Sequence, residues 1–468
     1  MLKRIKRFIF ILLFFAISVL NINAYGQEVP NSSINLIITY KNNGIDKNIE
    51  SFISNSSGQV ISEMPELGAI EVRCNPNLIP KLKNYSNVES ISPDLIIKLQ
   101  KTKIVPFTEV NKVSTNNADL FNKYQWDIKK VTNNGKSFNL QSGNHNVVVG
   151  IIDTGVDENH PDLKSNFLGG KNFIPKNFEN DPTETADPND IEDRNGHGTH
   201  VAGTIAGNGR IIGVAPNIGF KSYRVFNALG DTSASIIASA IIQATKDKVK
   251  VINLSIEGYN FKGKCFWTDP STDTVYDLGN DMKDYSLYKK AIKYAVNNGV
   301  TVVASAGNDS LDCSNGKNIT DYLNEEYGSQ GFKYVGVGIE VPGDIKGVIN
   351  VSATDENNTL ASYSNYGLGV VDIAAPGGDM NFVNDSIDFS SMCLSTYLNN
   401  SYMYMAGTSM AAPKISATAA LIISEYGNVR PEVVTKKIYK SAESLNIKDS
   451  NKYFGHGLVN AYNALTNY

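Results

Sequence analysis

Three glycine-rich segments of this 468-residue chain each carry one reactive side chain. Asp153 follows the apolar run VVVGII, at the kind of strand end where catalytic groups gather in parallel sheets. His197 lies between two glycines, just before the small-residue segment THVAGTIAG. Ser409 precedes an apolar helical stretch that carries Pro413 in its first turn. A carboxylate, an imidazole and a hydroxyl are together the side chains that nucleophilic catalysis by serine requires.

Each of these residues also has a purely structural alternative. Asp153 could cap a turn, and a serine at a helix N-terminus such as Ser409 is ordinarily an N-cap. The same position suits a nucleophile, because free backbone N–H groups and the helix dipole favour developing negative charge. His197 and His200 resemble a metal-binding pair, but no third histidine stands near them and the H-E-x-x-H spacing is absent. We therefore expect no catalytic metal.

The elements that must position these side chains alternate from about residue 124 onward. Strands buried on both faces are predicted at four short apolar runs, residues 147–152, 249–256, 300–305 and 348–353. Residues 286–298 carry one apolar face and end in Asn-Asn-Gly, which predicts a helix with a C-cap. Strands that alternate with helices predict an α/β fold, with a mostly parallel central sheet and helices on both faces.

The N-terminal part of the chain has a different organisation. Residues 1–7 are basic and residues 8–20 are uninterruptedly apolar, which predicts a secretory signal peptide over residues 1–26. Residues 34–99 show a βαββαβ pattern. Its strands are predicted at 35–40, 68–73, 88–92 and 95–99, and its helices at 46–54 and 77–82. Residues 101–119 are polar and aperiodic, which predicts a linker.

Composition and cysteine spacing exclude several classes of protein. The chain is 41% hydrophobic and 19% charged, as globular domains are, and its net charge of −4 argues against nucleic acid as a partner. No later segment is apolar enough to anchor the chain in a membrane. The four cysteines, Cys74, Cys265, Cys313 and Cys393, lack the spacing of metal ligands. Export would permit a Cys265–Cys313 disulfide, and isolated thiols are the alternative.

The motifs DTGVD, GHGTHVAG and GTSMAAP, in the order Asp, His, Ser, resemble the subtilisin family of serine proteases. The resemblance covers residues 124–465. It implies that Ser409 is the nucleophile, that His197 is its general base and that Asp153 orients the imidazole. In the segment VVASAGND it implies that Asn308 donates to the oxyanion beside the Ser409 backbone N–H. The implied reaction is peptide hydrolysis through an acyl-enzyme, with no cofactor for catalysis.

The resemblance also implies the walls of the substrate cleft. One wall of the S1 and S4 pockets would be formed by Ser255, Ile256, Glu257 and Gly258. The facing wall would be formed by Ser305, Ala306 and Gly307. Glu257 departs from the family, which commonly has a small residue there. An acid beside S1 would favour a basic P1 residue, although the side chain could equally turn outward to solvent.

Calcium is the one structural ion that the resemblance raises. The loop GNGRIIGVAP is shorter than the loop of secreted subtilisins that binds a strong calcium, and Asp162 matches only one ligand of that site. We therefore do not expect that calcium here. The acidic stretch Asp181–Asp193 could hold a structural Ca²⁺, could attract a basic residue of the substrate, or could be a solvated loop.

The βαββαβ unit resembles the ferredoxin-like inhibitory pro-domain of subtilases, whose C-terminal end lies in the active-site cleft. We therefore predict a signal peptide at 1–26, an inhibitory pro-domain and linker at 27–110 and the catalytic domain at 111–468. Cleavage between them is expected in the 100–120 region.

Several segments, among them NYGLGVVDIAAPGGD and NKYFGHGLVNAYNAL, are similar to the lantibiotic leader peptidases of Gram-positive bacteria. The resemblance implies a secreted, extracellular, monomeric endopeptidase that removes the leader from a lantibiotic precursor. The alternative is a general extracellular subtilase that degrades proteins for nutrition or virulence. A binding protein on an inactive scaffold would have lost Asn308 or one of the three catalytic residues.

Overall fold

The structure is a computed structural model that describes residues 33–99, 103–107, 118–279, 283–383 and 386–466. The predicted signal peptide at 1–26 lies outside these residues. The strands are β1 (Ile34–Tyr40), β2 (Gln59–Met64), β3 (Ala69–Cys74), β4 (Val88–Pro93), β5 (Ile96–Lys98), β6 (Lys103–Pro106), β7 (Val148–Asp153), β8 (Phe167–Asn172), β9 (Gly219–Arg224), β10 (Asp231–Ser233), β11 (Val251–Leu254), β12 (Gly258–Thr268), β13 (Val275–Gly279), β14 (Thr301–Ser305), β15 (Phe332–Val341), β16 (Val348–Thr354), β17 (Ile373–Pro376), β18 (Asn381–Val383), β19 (Ser386–Asp388), β20 (Cys393–Tyr397) and β21 (Ser401–Ala406).

The helices are α1 (Lys47–Asn55), α2 (Ile79–Leu82), α3 (Asp119–Tyr124), α4 (Trp126–Val131), α5 (His197–Ala206), α6 (Ala234–Lys246), α7 (Lys283–Asn297), α8 (Gly316–Tyr327), α9 (Thr408–Tyr426), α10 (Pro431–Ser441), α11 (Ser450–Phe454) and α12 (Ala461–Thr466).

A seven-stranded parallel sheet in the order β17-β16-β14-β11-β7-β9-β8 forms the centre of the fold. Successive strand residues point to opposite faces, so Val251 packs into a cluster with α5, α9, α10 and α12. Its neighbour Ile252 packs with α6 and α7 on the other face. The predicted α/β fold, with helices on both faces of a parallel sheet, is confirmed.

The four predicted buried strands are all present, as β7, β11, β14 and β16, and the predicted helix at 286–298 is α7. The prediction missed β8 and β9, whose sequences FLGGKN and GFKSYR mix polar and apolar residues. It also missed the antiparallel sheet β13-β12-β15, which is inserted between β11 and β16. Polar residues in a strand hide the continuous apolar run by which a buried strand is recognised.

The N-terminal unit has the predicted βαββαβ order of elements, with an antiparallel sheet in the order β2-β3-β1-β4. Strand β2 was not among the predicted strands. The placement of residues 95–99 within this unit is wrong: β5 pairs antiparallel with β10, so that Ile97 lies opposite Thr232. A strand pattern in the sequence indicates extended backbone, but it does not indicate which strand will be the partner.

The predicted linker at 101–119 also contains a strand. Residues Lys103–Pro106 form β6, which pairs antiparallel with β21. In this pairing Lys103 lies opposite Ala406, two residues before Thr408. The linker prediction was wrong here because backbone hydrogen bonds hold this strand to its partner, and such bonds need no hydrophobic periodicity.

The N-terminal unit shares a hydrophobic cluster with the inserted sheet, in which Leu36 and Val72 pack with Phe261 and Trp267. Polar contacts join the unit to α6 and α7 as well. The Ser235 Oγ at the start of α6 lies 2.6 Å from a carboxyl oxygen of Asp94 and 3.0 Å from one of Glu71. Lys290 of α7 forms an ion pair with Glu89 at 2.9 Å.

All four cysteine side chains are buried thiols, and the structure forms no disulfide between them. The conceivable Cys265–Cys313 bridge is therefore not made, and the alternative of isolated thiols holds. Within the part of the chain that the structure describes, no helix combines the length and the apolar character needed to cross a membrane.

Candidate active site

Asp153 and His197 form a buried pair at the carboxyl edge of the central sheet. Asp153 ends β7, and His197 is the first residue of α5. The Nδ1 atom of His197 lies 2.7 Å from Oδ1 of Asp153, and the side chains are 1% and 0% exposed. Gly198 permits this approach, because a Cβ atom there would lie 2.3 Å from the carbonyl oxygen of Gly155.

The pKa of His197 reflects two opposing effects. Burial alone would lower it, because the charged imidazolium loses its hydration. The negative charge of Asp153 and its hydrogen bond outweigh burial, so that the pKa is raised above its ordinary value. Since Nδ1 is held by Asp153, Nε2 is the ring nitrogen left to accept a proton.

Asp193 organises the loop that leads into His197. Its Oδ1 accepts hydrogen bonds from the Thr154 hydroxyl at 2.9 Å and from the Gly196 N–H at 2.7 Å. Its Oδ2 accepts from the Thr199 N–H at 2.9 Å. The carboxylate therefore links the residue after Asp153 to both sides of His197. Sequence reasoning included Asp193 only as the end of an acidic stretch, and the small polar residues around it were the available signal for this role.

Ser409 is the second residue of α9, after Gly407 and Thr408. Its Oγ donates a hydrogen bond of 3.3 Å to the carbonyl oxygen of Ser255. Among the hydrogen bonds of the described residues there is none between Ser409 and His197. Catalytic hydrogen bonds without substrate are often long or misaligned and tighten only in the complex.

Asn308 lies beside the N-terminus of α9, three residues beyond the end of β14. Its Oδ1 accepts hydrogen bonds from both the N–H and the hydroxyl of Thr408, each at 2.9 Å. A backbone N–H can only donate, so the orientation of the amide is fixed and Nδ2 is the group left to donate elsewhere. An amide nitrogen is thereby held next to the residue that precedes Ser409.

The two predicted walls of the cleft meet at Glu257. Ser255–Gly258 follow β11, and Ser305–Gly307 end β14 and continue beyond it. The Glu257 side chain is only 8% exposed, so it does not turn outward to solvent. Gly307 has a φ of +107°, and a Cβ atom there would lie 2.3 Å from Oε2 of Glu257. The carboxylate therefore lies against the facing wall.

Neither carboxylate oxygen of Glu257 has a hydrogen-bond partner of good geometry among the residues described. Burial raises the pKa of Glu257 well above its ordinary value, and the nearby Asp309 and Glu340 raise it further. The weaker attraction of the Asn308 backbone N–H acts in the opposite direction. Glu257, Asp309 and the segment Leu95–Leu99 line a cavity of about 890 Å³.

Two of the acidic residues near His197 form ion pairs with arginines of the same chain. Asp190 pairs with Arg194 at 3.0 Å, and Glu184 pairs with the buried Arg224. No group of three or more His, Cys, Asp or Glu side chains suited to a metal occurs in the described ranges.

Asp162 and His200, which the sequence offered as metal ligands, contact other protein groups. The Asp162 carboxylate accepts from the Ile211 N–H and the Tyr402 hydroxyl, both at 3.0 Å. His200 lies with Nε2 3.1 Å from the carbonyl oxygen of Met403. Burial, with the nearby His197 and Lys414, lowers the pKa of His200 to about 3. His200 is therefore a neutral side chain that joins α5 to β21.

The sequence profile of the subtilase family matches residues 144–457. The chain belongs to this family. It is 30% identical to the epidermin leader peptide-processing serine protease of Staphylococcus epidermidis, over 99% of this chain and 100% of that protein. It is 35% identical to the nisin leader peptide-processing serine protease of Lactococcus lactis subsp. lactis, over 84% of this chain. The subtilase described here spans 58% of the length of the nisin protease.

A crystal structure of an epidermin leader peptide processing serine protease from Staphylococcus aureus superimposes with a TM-score of 0.77 and 33% identity. The superposition covers 93% of this chain and 98% of that one. Together with the family match, these relatives show that this subtilase is a serine endopeptidase with a subtilisin-like fold.

We expect Asp153→Asn to separate the two effects on His197. Without the carboxylate the pKa of His197 should fall, so the acidic limb of the pH profile of kcat/KM should move to lower pH. Turnover should also fall by about 10⁴-fold, because the imidazole loses its orientation and its counter-charge. Asp247→Asn is the control, since Asp247 precedes β11 at the opposite edge of the sheet. An unshifted acidic limb in Asp153→Asn would contradict the assignment of that limb to His197.

Proposed function

We propose that this subtilase is a secreted endopeptidase that removes the leader peptide from a lantibiotic precursor, cutting after a basic residue. The observation that carries the substrate class is Glu257, a buried carboxylate without a partner between the two walls of the cleft. The epidermin and nisin leader peptide-processing proteases, two relatives of this chain, support the leader as the segment removed.

In the proposed reaction Ser409 attacks the scissile carbonyl carbon. Its hydroxyl turns from the Ser255 carbonyl to Nε2 of His197, which takes the proton as the Oγ–C bond forms. Asp153 supports this step because its negative charge, 2.7 Å from Nδ1, stabilises the imidazolium that results. The Nδ2 of Asn308 and the Ser409 N–H donate to the oxyanion, and one such donor is worth about 10²–10³ in turnover.

The collapse of the tetrahedral intermediate breaks the C–N bond, and His197 returns its proton to the leaving amine. Water then attacks the acyl-enzyme with His197 again as the base, which releases the N-terminal product and restores Ser409. Every proton transfer in this cycle uses one ring nitrogen, Nε2, because Nδ1 remains bound to Asp153. No cofactor enters the cycle.

A basic P1 side chain provides what Glu257 lacks. A carboxylate buried without donors is costly in its charged form, which is why its pKa is raised. A guanidinium or ammonium group in the same cavity would supply both hydrogen bonds and the opposite charge. Charge-assisted hydrogen bonds of this kind are about twice as strong as neutral ones.

The N-terminal unit is proposed as the inhibitory pro-domain, and its own chain supports this assignment. Strand β5, which follows the unit, pairs antiparallel with β10. The segment Leu95–Leu99 lines the same cavity as Glu257 and Gly258. Strand addition of this kind is a general way for a protease to bind an extended peptide. The chain would thus occupy its own cleft until it is cut in the 100–120 region.

Export of the proposed enzyme depends on residues 1–26, where a basic segment and an apolar run of signal-peptide length precede small residues. We propose on this basis that the enzyme is extracellular, and we expect it to act as a monomer.

Self-processing is tested by expressing the full chain beside Ser409→Ala with no other protease present. The wild-type chain should lose its N-terminal part by a cut in the 100–120 region, visible by intact-mass spectrometry. Ser409→Ala should keep it, because the acyl-enzyme has no oxygen on which to form. Thr418→Ala removes a different hydroxyl of α9 and should process like the wild type. Loss of the N-terminal part from Ser409→Ala would refute self-processing by this residue.

The substrate class is tested by incubating the processed enzyme with leader-bearing lantibiotic precursors and, separately, with casein. We expect a single cut at the end of the leader and slow, incomplete digestion of casein, measured by mass spectrometry. The chain is also 33% identical to subtilisin DY of Bacillus licheniformis, over 89% of the length of that protein. The alternative is therefore a general subtilase. Rapid casein digestion without a discrete leader cut would favour that alternative.

The role of Glu257 is tested with peptides that differ only at P1. Glu257→Gln should lower kcat/KM for Arg or Lys at P1 by about 10- to 100-fold, the worth of hydrogen bonds to a charged group. It should leave a P1 Gln substrate unchanged or improve it. Because the pKa of Glu257 is raised, the wild-type preference for Arg should increase with pH as the carboxyl ionises.

In Glu257→Gln this pH dependence should disappear. Glu425→Gln is the matched control, since Glu425 lies near the end of α9 and accepts a hydrogen bond of 3.1 Å from Gln141 at the surface. Equal losses for Arg and Gln substrates in Glu257→Gln would show that the carboxyl group supports the cleft and does not select the P1 residue.

A further inference from the structure

Pro413 leaves the carbonyl group of Ser409 without its helical partner. In an α-helix the carbonyl of residue 409 accepts a hydrogen bond from the N–H of residue 413. Proline has no N–H, so this bond is missing at the start of α9. Ser409 is buried, and a buried carbonyl without a partner costs free energy. Something else must satisfy this oxygen.

The hydroxyl of Ser255 fills this role. Its Oγ donates a hydrogen bond of 2.9 Å to the carbonyl oxygen of Ser409. Ser255 in turn accepts at Oγ from the Asn253 amide at 3.0 Å. The amide oxygen of Asn253 accepts from the Ser416 hydroxyl at 2.8 Å. All four side chains are buried.

The chemistry of the donors fixes the direction of this chain of bonds. The NH₂ group of Asn253 can only donate, so Ser255 Oγ must accept there and its own proton is left for the Ser409 carbonyl. The end of β11 is thereby joined to α9 at two points, Ser409 and Ser416, two turns apart on the helix. A fully satisfied network of this kind is rigid.

Ser255 therefore holds Ser409 by its main chain and by its side chain. The Ser255 hydroxyl donates to the Ser409 carbonyl, and the Ser255 carbonyl accepts from the Ser409 hydroxyl at 3.3 Å. The first contact sets the orientation of the peptide group at Ser409, and with it the direction of the Cα–Cβ bond. The second holds the hydroxyl until it turns towards its base.

We infer that Ser255 is a positioning residue for the acylation step: its hydroxyl supplies the hydrogen bond that Pro413 withholds from Ser409. This inference rests on the proposed role of Ser409 as nucleophile. It is distinct from the predicted place of Ser255 in the pocket wall, because it concerns the side chain and the interior of the protein. Its consequence is a change in the rate of the chemical step and not in the binding of substrate.

The test compares Ser255→Ala, Ser255→Thr and the double variant Ser255→Ala/Pro413→Ala in the full chain. Each chain is allowed to process, and kcat and KM are then measured with a short chromogenic peptide. Ser255→Ala should lower kcat by about 10- to 100-fold, the cost of misplacing a reacting group by about 1 Å. Its KM should stay within about threefold of wild type, as expected for an interaction made in the transition state.

Two variants should restore the rate. Ser255→Thr keeps an Oγ atom that can donate to the Ser409 carbonyl. The double variant gives residue 413 an N–H, which can make the ordinary helical bond to the same oxygen. Recovery of at least about tenfold in kcat over Ser255→Ala is expected in the double variant, because its new bond replaces the lost one.

Thr418→Ala is the matched control for stability. Thr418 is equally buried in α9, and its hydroxyl donates to the Lys414 carbonyl at 2.8 Å. It should lower the unfolding midpoint about as much as Ser255→Ala and leave kcat unchanged. A purely structural role of Ser255 would give the same result for both variants.

The inference is overturned if Ser255→Ala retains kcat, or if its loss is recovered neither by threonine nor by the double variant. A defect confined to KM would assign Ser255 to the pocket wall alone. Ser409→Ala is assayed in parallel to test the proposed function separately. If this variant still turned over substrate, Ser409 would not be the nucleophile, and that conclusion would hold for any result with the Ser255 variants. Where a variant processes slowly, the first-order rate of self-cleavage in the intact chain reports the same step without substrate binding.

Discussion

The parallel register of β7, β11 and β14 is the constraint on which the candidate active site depends. Val251 lies opposite both Val149 and Thr301, so the three strands end at one edge of the sheet. Segments far apart in the chain therefore meet at that edge, because parallel strands share their carboxyl ends. Asp153 ends the first strand, and the segments that begin at Ser255 and Ser305 bring the two walls of the cleft. Helix α9 is tied to the same edge through Ser255 and Asn308.

Burial gives these few polar groups their chemical character. Asp153 and His197 are almost fully excluded from solvent, so their mutual attraction is strong enough to outweigh the cost of burying a cation. The same exclusion acts on Glu257 without a partner, and there it favours the neutral acid. Asp153 thus has a side-chain partner at 2.7 Å, whereas neither oxygen of Glu257 has a hydrogen-bond partner of good geometry among the described residues. A positive charge brought by the substrate would find an opposite charge at Glu257.

Two N-terminal strands pair with later strands of the chain. Strand β5 pairs with β10, and strand β6 pairs with β21. Both pairings are antiparallel additions to an edge, which use backbone groups and require little of the side chains. The hydrophobic cluster shared by the N-terminal unit and the inserted sheet adds an apolar contact to this polar one. The inserted sheet β13-β12-β15 thereby packs against the N-terminal unit.

The sequence by itself identified the residues whose role can be recognised from their neighbours in the chain. The glycine-rich settings of Asp153, His197 and Ser409 are visible in the chain, because close backbone approach requires small neighbours. The apolar runs of β7, β11, β14 and β16 are equally visible, since most residues of a strand buried on both faces are apolar. Asn308 was found through its motif, and its amide orientation then depended on Thr408, a hundred residues away.

Only the tertiary structure decided which groups face each other. It turned Glu257 inward against Gly307, paired residues 96–98 with β10, and gave the acidic stretch before His197 its arginine and backbone partners. It also kept Cys265 and Cys313 as thiols. The sequence gives the conformational propensity of each segment and the chemistry of each side chain. The surroundings of a charged group, of a strand edge or of a carbonyl without its helical partner are formed by segments distant in the chain. Contact between such segments arises only when the chain packs.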